Sequence, residues 1–186
     1  MSQVSDIGRG WVRLIGPGLL CLAASACEGQ RWPSAEEAPP PHDDSRVVGR
    51  ASVIDGDTLE IRDRRIRLWG IDAPESGQQC GHPDGRRWRC GTEAARALAD
   101  WIGQRNLNCD PRGKSYERLV ARCTVNGHDV GEWMVRNGWA LEYRRFSKGQ
   151  YENAQKAAID AGVGIHEGTF EPPWEYRKRR RERSRQ

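Results

Sequence analysis

Three short runs carry side chains that could do chemistry together: Asp55-Gly56-Asp57-Thr58, Arg67 through Asp72-Ala73-Pro74-Glu75, and Tyr116-Glu117-Arg118. In the first, the carboxylates are two residues apart, and such residues on an extended chain project to the same side. Two acids so placed repel unless a cation or a proton offsets them. Hard cations such as calcium accept clusters of oxygen ligands at about 2.3–2.6 Å, so the pair reads as part of a cation site. Alone, Asp-Gly-Asp is more often a plain turn. The second run is an apolar strand that ends in two acids flanking a proline, which stops the ladder and fixes the bend. Strict alternation would put Arg67 and Asp72 on opposite faces, so the strand must twist or bulge for them to meet, and Gly70 is the expected place. Arg118 precedes another apolar run. A lone arginine there is ordinarily a surface residue, and it gains meaning only beside the other two runs.

Elements that could position these groups follow from the pattern of the chain. Val47 to Ile54, Thr58 to Ile61 and Ile66 to Ile71 are β-prone, separated by turn-like Asp55-Gly56 and Arg62-Asp63. A Gly-, Cys- and Arg-rich loop spans about Ser76 to Gly91. A helix is predicted from Thr92, as N-cap, to about Gln104, with Ala, Leu and Trp101 on one face. Leu107 to Cys109 and Leu119 to Val125 read as strands joined by a polar loop, and Asn126-Gly127 is a turn. Further helices are predicted over about Val130 to Asn137, ending at Gly138, and about Gly149 to Ala161, ending at Gly162. There is no internal repeat. Five short strands with interspersed helices predict an α+β arrangement, a small β-barrel carrying about three helices.

At 186 residues, with 37% hydrophobic and 30% charged residues, the chain suits one small domain with tails and a wet, charged surface. The net charge of +4 does not by itself specify a partner. Arg9 and Arg13 precede an apolar run, Leu14 to Ala26, that is too short and too broken by Gly and Pro to span a bilayer. It closes on Ala24-Ser25-Ala26, a pattern that signal peptidase accepts. Residues 1–26 are therefore expected to be a signal peptide of an exported protein, periplasmic or secreted. Cys27 follows at once and also permits a lipid anchor, although Ala24 stands where leucine is usual. Residues 27–45, with Pro39-Pro40-Pro41, read as a flexible linker, 46–175 as the folded domain, and 176–186 as a basic, disordered tail. In an oxidising compartment, Cys80, Cys90, Cys109 and Cys123 are more often disulfides than metal ligands. Three pairings are open, and local structure favours Cys80–Cys90 with Cys109–Cys123. A zinc site of Cys80, His82 and Cys90 lacks the tight spacings of common structural sites.

In this order, Val53-Ile54-Asp55-Gly56-Asp57-Thr58, Arg67 through Asp72-Ala73-Pro74-Glu75 and Tyr116-Glu117-Arg118 resemble the staphylococcal-nuclease-like (thermonuclease) family over about Val47 to Trp174. The resemblance implies a five-stranded OB-type barrel with packed helices. It implies a calcium-dependent endonuclease acting on DNA and RNA, breaking the 5′ P–O bond and leaving 3′-phosphates. Asp57, Asp72 and the main-chain carbonyl of Ala73 would be calcium ligands, with Asp55 supporting the site from nearby. Glu75 would orient or deprotonate the attacking water, Arg67 and Arg118 would grip the phosphate, and Tyr116 would contact substrate. The chemistry fits these types, because in-line attack on a phosphodiester gathers negative charge that guanidinium forks and a divalent ion stabilise.

The sequence departs from the family pattern at Glu117, where glycine is frequent, at Ser115, where the best-known member is basic, and at His166, where tryptophan is frequent. By the barrel alignment, Cys109 and Cys123 fall on neighbouring antiparallel strands, and Cys80–Cys90 would close the loop after Glu75. The alternative to an enzyme is a non-catalytic OB-type nucleic-acid-binding module of the cell envelope. Arg67, Glu75 and Arg118 together argue against it, since binding needs no water-activating acid. Nothing in the sequence points to a stable protein partner, and a monomer is expected.

Overall fold

In the computed structural model, which describes residues 46–186, Val47–Arg50 (β1) and Ser52–Asp55 (β2) are successive stretches of one extended run interrupted at Ala51. The expected signal peptide, linker and Cys27 anchor lie outside the described residues. Thr58–Ile61 (β3) folds back on β2, and Arg64–Leu68 (β4) folds back on β3. Arg62 and Asp63 both take positive φ, 50° and 61°, the backbone a tight two-residue hairpin requires. After Gly70 (φ 75°) come Ile71–Asp72 (β5) and a small hairpin of Cys80–Gly81 (β6) and Arg87–Trp88 (β7). Helix α1, Cys90–Ile102, leads into the long pair Asn106–Ser115 (β8) and Arg118–Val125 (β9), followed by His128–Asp129 (β10). The remainder is Val130–Arg136 (α2), Leu141–Glu142 (β11), Arg144–Ser147 (α3), Glu152–Ala161 (α4), a 3-10 turn at Gly164–Glu167 and Pro173–Arg183 (α5).

The main sheet runs β1-β8-β9-β4-β3-β2, with β10 on β9. Only β4 and β9 run parallel among these neighbours. The two ends of that path are the two halves of the first extended run, so the five long runs expected from the sequence appear as six strands plus the short β10. Leu59, Ile61, Ile66, Leu68, Leu98 and Ile102 are fully buried between sheet and α1 together with Leu107, Val125 and Met134. The architecture is mixed α+β. Among the described residues, no helix is long and apolar enough to cross a membrane.

Both favoured disulfides form, Cys80–Cys90 and Cys109–Cys123, the latter between residues directly opposed on β8 and β9. Three local expectations change. Thr92 does not cap α1, which already begins at Cys90, and its hydroxyl instead donates to the Ser76 carbonyl at 3.2 Å. The polar loop expected before Leu119 is mostly β8, which continues to Ser115, so only Tyr116 and Glu117 turn the chain. The disordered tail expected over 176–186 is largely helical, because α5 starts at a proline favourable to the first turn and is tied down by contacts to distant residues.

Candidate active site

The β2–β3 turn builds the first wall. Asp57 lies in the turn rather than on an extended strand, and its N–H donates to Asp55 Oδ1 at 3.0 Å. The turn, not strand alternation, thus brings the two acids together. Gly56 between them has no side chain to spare, since a Cβ there would lie 2.7 Å from the Ala73 Cβ. The Asp57 carboxylate points inward, is buried, and accepts from Thr58 Oγ1 at 3.1 Å and from the Ala73 N–H at 3.2 Å.

Register supplies Arg67. It sits opposite Thr58 on β4, and its fork reaches Asp57 Oδ1 through Nη1 and Asp72 Oδ1 through Nη2, both at 2.7 Å. The reversal at Gly70 makes this possible, as expected. A Cβ at Gly70 would sit 3.0 Å from the Ser147 Cβ and 3.1 Å from the Tyr151 ring. Asp72 is wholly buried and fixed from the other side by β11, where Leu141 is its partner. Arg118 opens β9, which lies beside β4, and donates to Thr58 Oγ1 at 3.4 Å.

Glu75 follows Pro74, and the helix that begins at Cys90 packs against it. A Cβ on Gly91 would fall 1.8 Å from the Glu75 carbonyl oxygen. Alanine in a helix interior normally gains about 1 kcal/mol over glycine. Gly91→Ala is instead expected to destabilise the fold by about 1–3 kcal/mol, as overpacking does, and to displace Glu75. Thermal melts and cleavage rates together test this, and an alanine variant as stable as the wild type would remove this role of α1.

Asp55, Asp57, Arg67, Ala73, Glu75, Ser115, Tyr116 and Arg118 all line one cleft of about 590 Å³. Asp72 lies beneath them, bound to Arg67. Glu117 points elsewhere, into a neighbouring groove with Lys114, Arg64 and Arg65, so the acid departing from the family pattern does not face the cleft. His166 packs edge-on against Phe170, a packing position. Tyr116, at the turn tip, is 93% exposed.

The same cleft holds groups that the sequence reading missed: Tyr143, Phe146, Trp174, Arg177 and Arg181. Arg177 of α5 forks onto Asp72, Nη2 to Oδ2 at 2.7 Å and Nη1 to Oδ1 at 3.0 Å, and Nη1 also meets Glu75 Oε1 at 2.7 Å. The one sequence signal for this was Pro172-Pro173-Trp174, a helix-start pattern with an aromatic anchor just before the basic run.

Burial pushes the Asp57 carboxyl up to about 7; Arg67 opposes this, while Asp55 and Asp72 add to it. Burial also weighs against the charged form of Arg67, but Asp57 and Asp72 outweigh it and hold its pKa above the ordinary value. An acid raised in the folded state binds its proton more tightly there than when unfolded. Stability from this group is therefore highest below pH 4, falls as pH rises toward about 7, and is flat above. Chemical denaturation of metal-free protein between pH 4 and pH 8 should show this slope as the difference between wild type and Asp57→Asn. Equal slopes would mean that Asp57 is not buried as described.

Could these residues hold a divalent cation? Among the described residues, no group of three or more His, Cys, Asp or Glu side chains is arranged to do so alone. Asp57 and Asp72 nonetheless share a guanidinium, and the Ala73 main chain runs beside Asp57. Two carboxylates plus a carbonyl and solvent or substrate oxygens form the hard-oxygen set that calcium prefers. Asp55, Asp57, Glu75 and the buried Asp72 face four guanidinium groups, Arg67, Arg118, Arg177 and Arg181. By the chemistry of its oxygen donors, the set fits one divalent ion.

A family model described as staphylococcal nuclease homologue matches residues 65–167, just over half of the chain. A succinoglycan biosynthesis protein, ExoI, of Rhizobium meliloti (strain 1021) is 40% identical over 122 residues, 64% of this chain and 64% of that protein. A protein described as "Probable staphylococcal-like nuclease CAN4", of Oryza sativa subsp. japonica, is 32% identical over 70% of this chain but only 25% of its own length. A micrococcal nuclease of Shigella flexneri is 26% identical over 68% of this chain and 77% of that protein. The chain thus spans less than two thirds of the first two relatives.

Proposed function

The chain belongs to the staphylococcal nuclease homologue family, and from that premise we propose that it is an exported, calcium-dependent nuclease hydrolysing phosphodiester bonds in DNA and RNA. One observation carries the reading: acids and guanidinium groups from separate parts of the chain, Asp57, Glu75, Arg67 and Arg118, face one cleft. A pure binding surface needs the arginines but not a buried acid pair with Glu75 beside it. The sheet is then a five-stranded OB-type barrel whose first strand, split at Ala51, closes the circuit. The two disulfides fit an oxidising compartment.

In this reading Asp57, Asp72 and the Ala73 carbonyl hold the ion, and Asp55 supports it by fixing the Asp57 main chain. Bound calcium supplies Lewis-acid polarisation of the phosphoryl oxygen and neutralises charge. Arg118 is offered to the phosphate, and Arg67 keeps three of its five N–H donors beyond the two acids it bonds. Glu75 orients water and accepts its proton while the water oxygen bonds to phosphorus. The P–O5′ bond breaks, the 5′ oxygen takes up a proton, and the 3′-phosphate stays with its fragment. The exposed Tyr116 meets the substrate at the rim.

Incubation of the folded protein with DNA and RNA, with calcium or with chelator, tests the proposal. Calcium-dependent cleavage leaving 3′-phosphate ends is expected. Salt-sensitive binding without cleavage in any divalent ion would overturn it in favour of a binding module.

A further inference from the structure

Glu75 is tied to α5 twice. At its main chain, the Glu75 N–H donates to Gln78 Oε1 at 3.2 Å, and Gln78 Nε2 donates to the Glu171 carbonyl at 2.6 Å, just before α5. At its side chain, Arg177 of α5 holds Oε1 at 2.7 Å. The same guanidinium grips both oxygens of Asp72. One planar fork therefore fixes the acid that would hold the ion relative to the acid that would handle water, leaving Glu75 Oε2 outside the fork. Unrestrained, a glutamate samples many rotamers, most of them misplaced for proton transfer.

The helix is anchored as if to deliver this side chain. Pro173 stands at its first position, and Trp174 stacks on Tyr143 across the cleft with ring centres 5.8 Å apart and planes 9° apart. Arg179 forks onto Glu171, at 2.7 Å from Nη2 and 3.0 Å from Nε. Nothing in the three sequence motifs reaches this far along the chain.

We infer that Arg177 is a positioning residue of the active site, holding Asp72 and Glu75 in register so that α5 completes the catalytic constellation. This rests on the nuclease reading. A guanidinium is required, because a point charge cannot span two carboxylates in one plane.

The test compares Arg177→Met, which keeps the aliphatic stem, and Arg177→Lys with wild type at saturating calcium. Arg177→Met is expected to lower kcat about 10- to 100-fold, as loss of a partner that orients ligands does, with KM changed less than about threefold. Calcium affinity by titration calorimetry should be unchanged or higher, since one fewer positive charge faces the ion. Arg177→Lys should recover only part of kcat. An unchanged or increased kcat in Arg177→Met would overturn the inference and make Arg177 a bystander, or an occupant that the ion displaces. A double-mutant cycle of Arg177→Met with Glu75→Ala, which removes the accepting carboxylate, is read by unfolding in urea and needs no activity. Non-additivity in the unfolding constant by a factor of about five or more is expected, and additivity would refute the tie. A wild-type protein that does not cleave would sink the nuclease reading while this cycle still measures the tie.

Discussion

Arg67→Ala is expected to cost the metal-free domain about 3–5 kcal/mol at pH 8 and to lower cleavage about 100- to 1,000-fold. The stability loss follows from what Arg67 does within the fold. It is the charge that Asp57 and Asp72 share at 2.7 Å each, and Asp72 has no solvent access to fall back on. Removing it leaves Asp57 without its cation and Asp72 with Arg177 alone, and burial already holds the Asp57 carboxyl up near 7 even with Arg67 in place. Calcium should therefore restore more stability to the variant than it adds to wild type, because the ion takes over part of the missing charge. Urea denaturation with calcium and with chelator measures both quantities. A loss under about 1 kcal/mol, with no larger calcium gain, would mean that the two acids are not one cluster.

Glu75→Gln is expected to do the opposite: large in catalysis, small in stability. The amide is nearly isosteric, and its oxygen can still accept from Arg177 Nη1. The Glu75 side chain is also 37% exposed, so little burial is at stake. What disappears is the proton acceptor beside the attacking water, an effect of about 100- to 10,000-fold on kcat. KM should hold, and melting should shift little. Single-turnover cleavage at saturating substrate reads the chemical step directly. Near-wild-type turnover would remove Glu75 from the reaction and return attention to the binding-module reading.

The parts of this site that were legible in the sequence are those whose geometry is local. The reversal at Gly70 was readable because a strand that must turn Arg67 toward Asp72 has one residue free to take positive φ. The Cys109–Cys123 pairing was favoured locally, and register then places the two residues opposite each other on β8 and β9. By contrast, the polar stretch before Arg118 read as a loop, since its charged residues carry no strand alternation. Pairing with β9 makes it a strand, a partner's contribution that propensity does not contain. Thr92 looked like a cap for the same reason: its type suits the role, but packing of Gly91 on Glu75 starts the helix earlier.

The basic run after Trp174 lacks any apolar period, so a sequence reading has no face to bury and makes it a tail. It becomes a helix through partners about a hundred residues upstream: Arg177 with Asp72 and Glu75, and Gln78 with the Glu171 carbonyl. The amino-acid order by itself determined which acids and arginines exist, where the chain turns and which cysteines can pair, because sterics between near neighbours govern those choices. Only the tertiary structure decided that α5 enters the cleft, that Glu117 faces away from it and that Asp57 is buried deeply enough to resist ionisation. Burial and long-range charge pairing depend on what the rest of the chain brings to a point in space, and no local pattern encodes that.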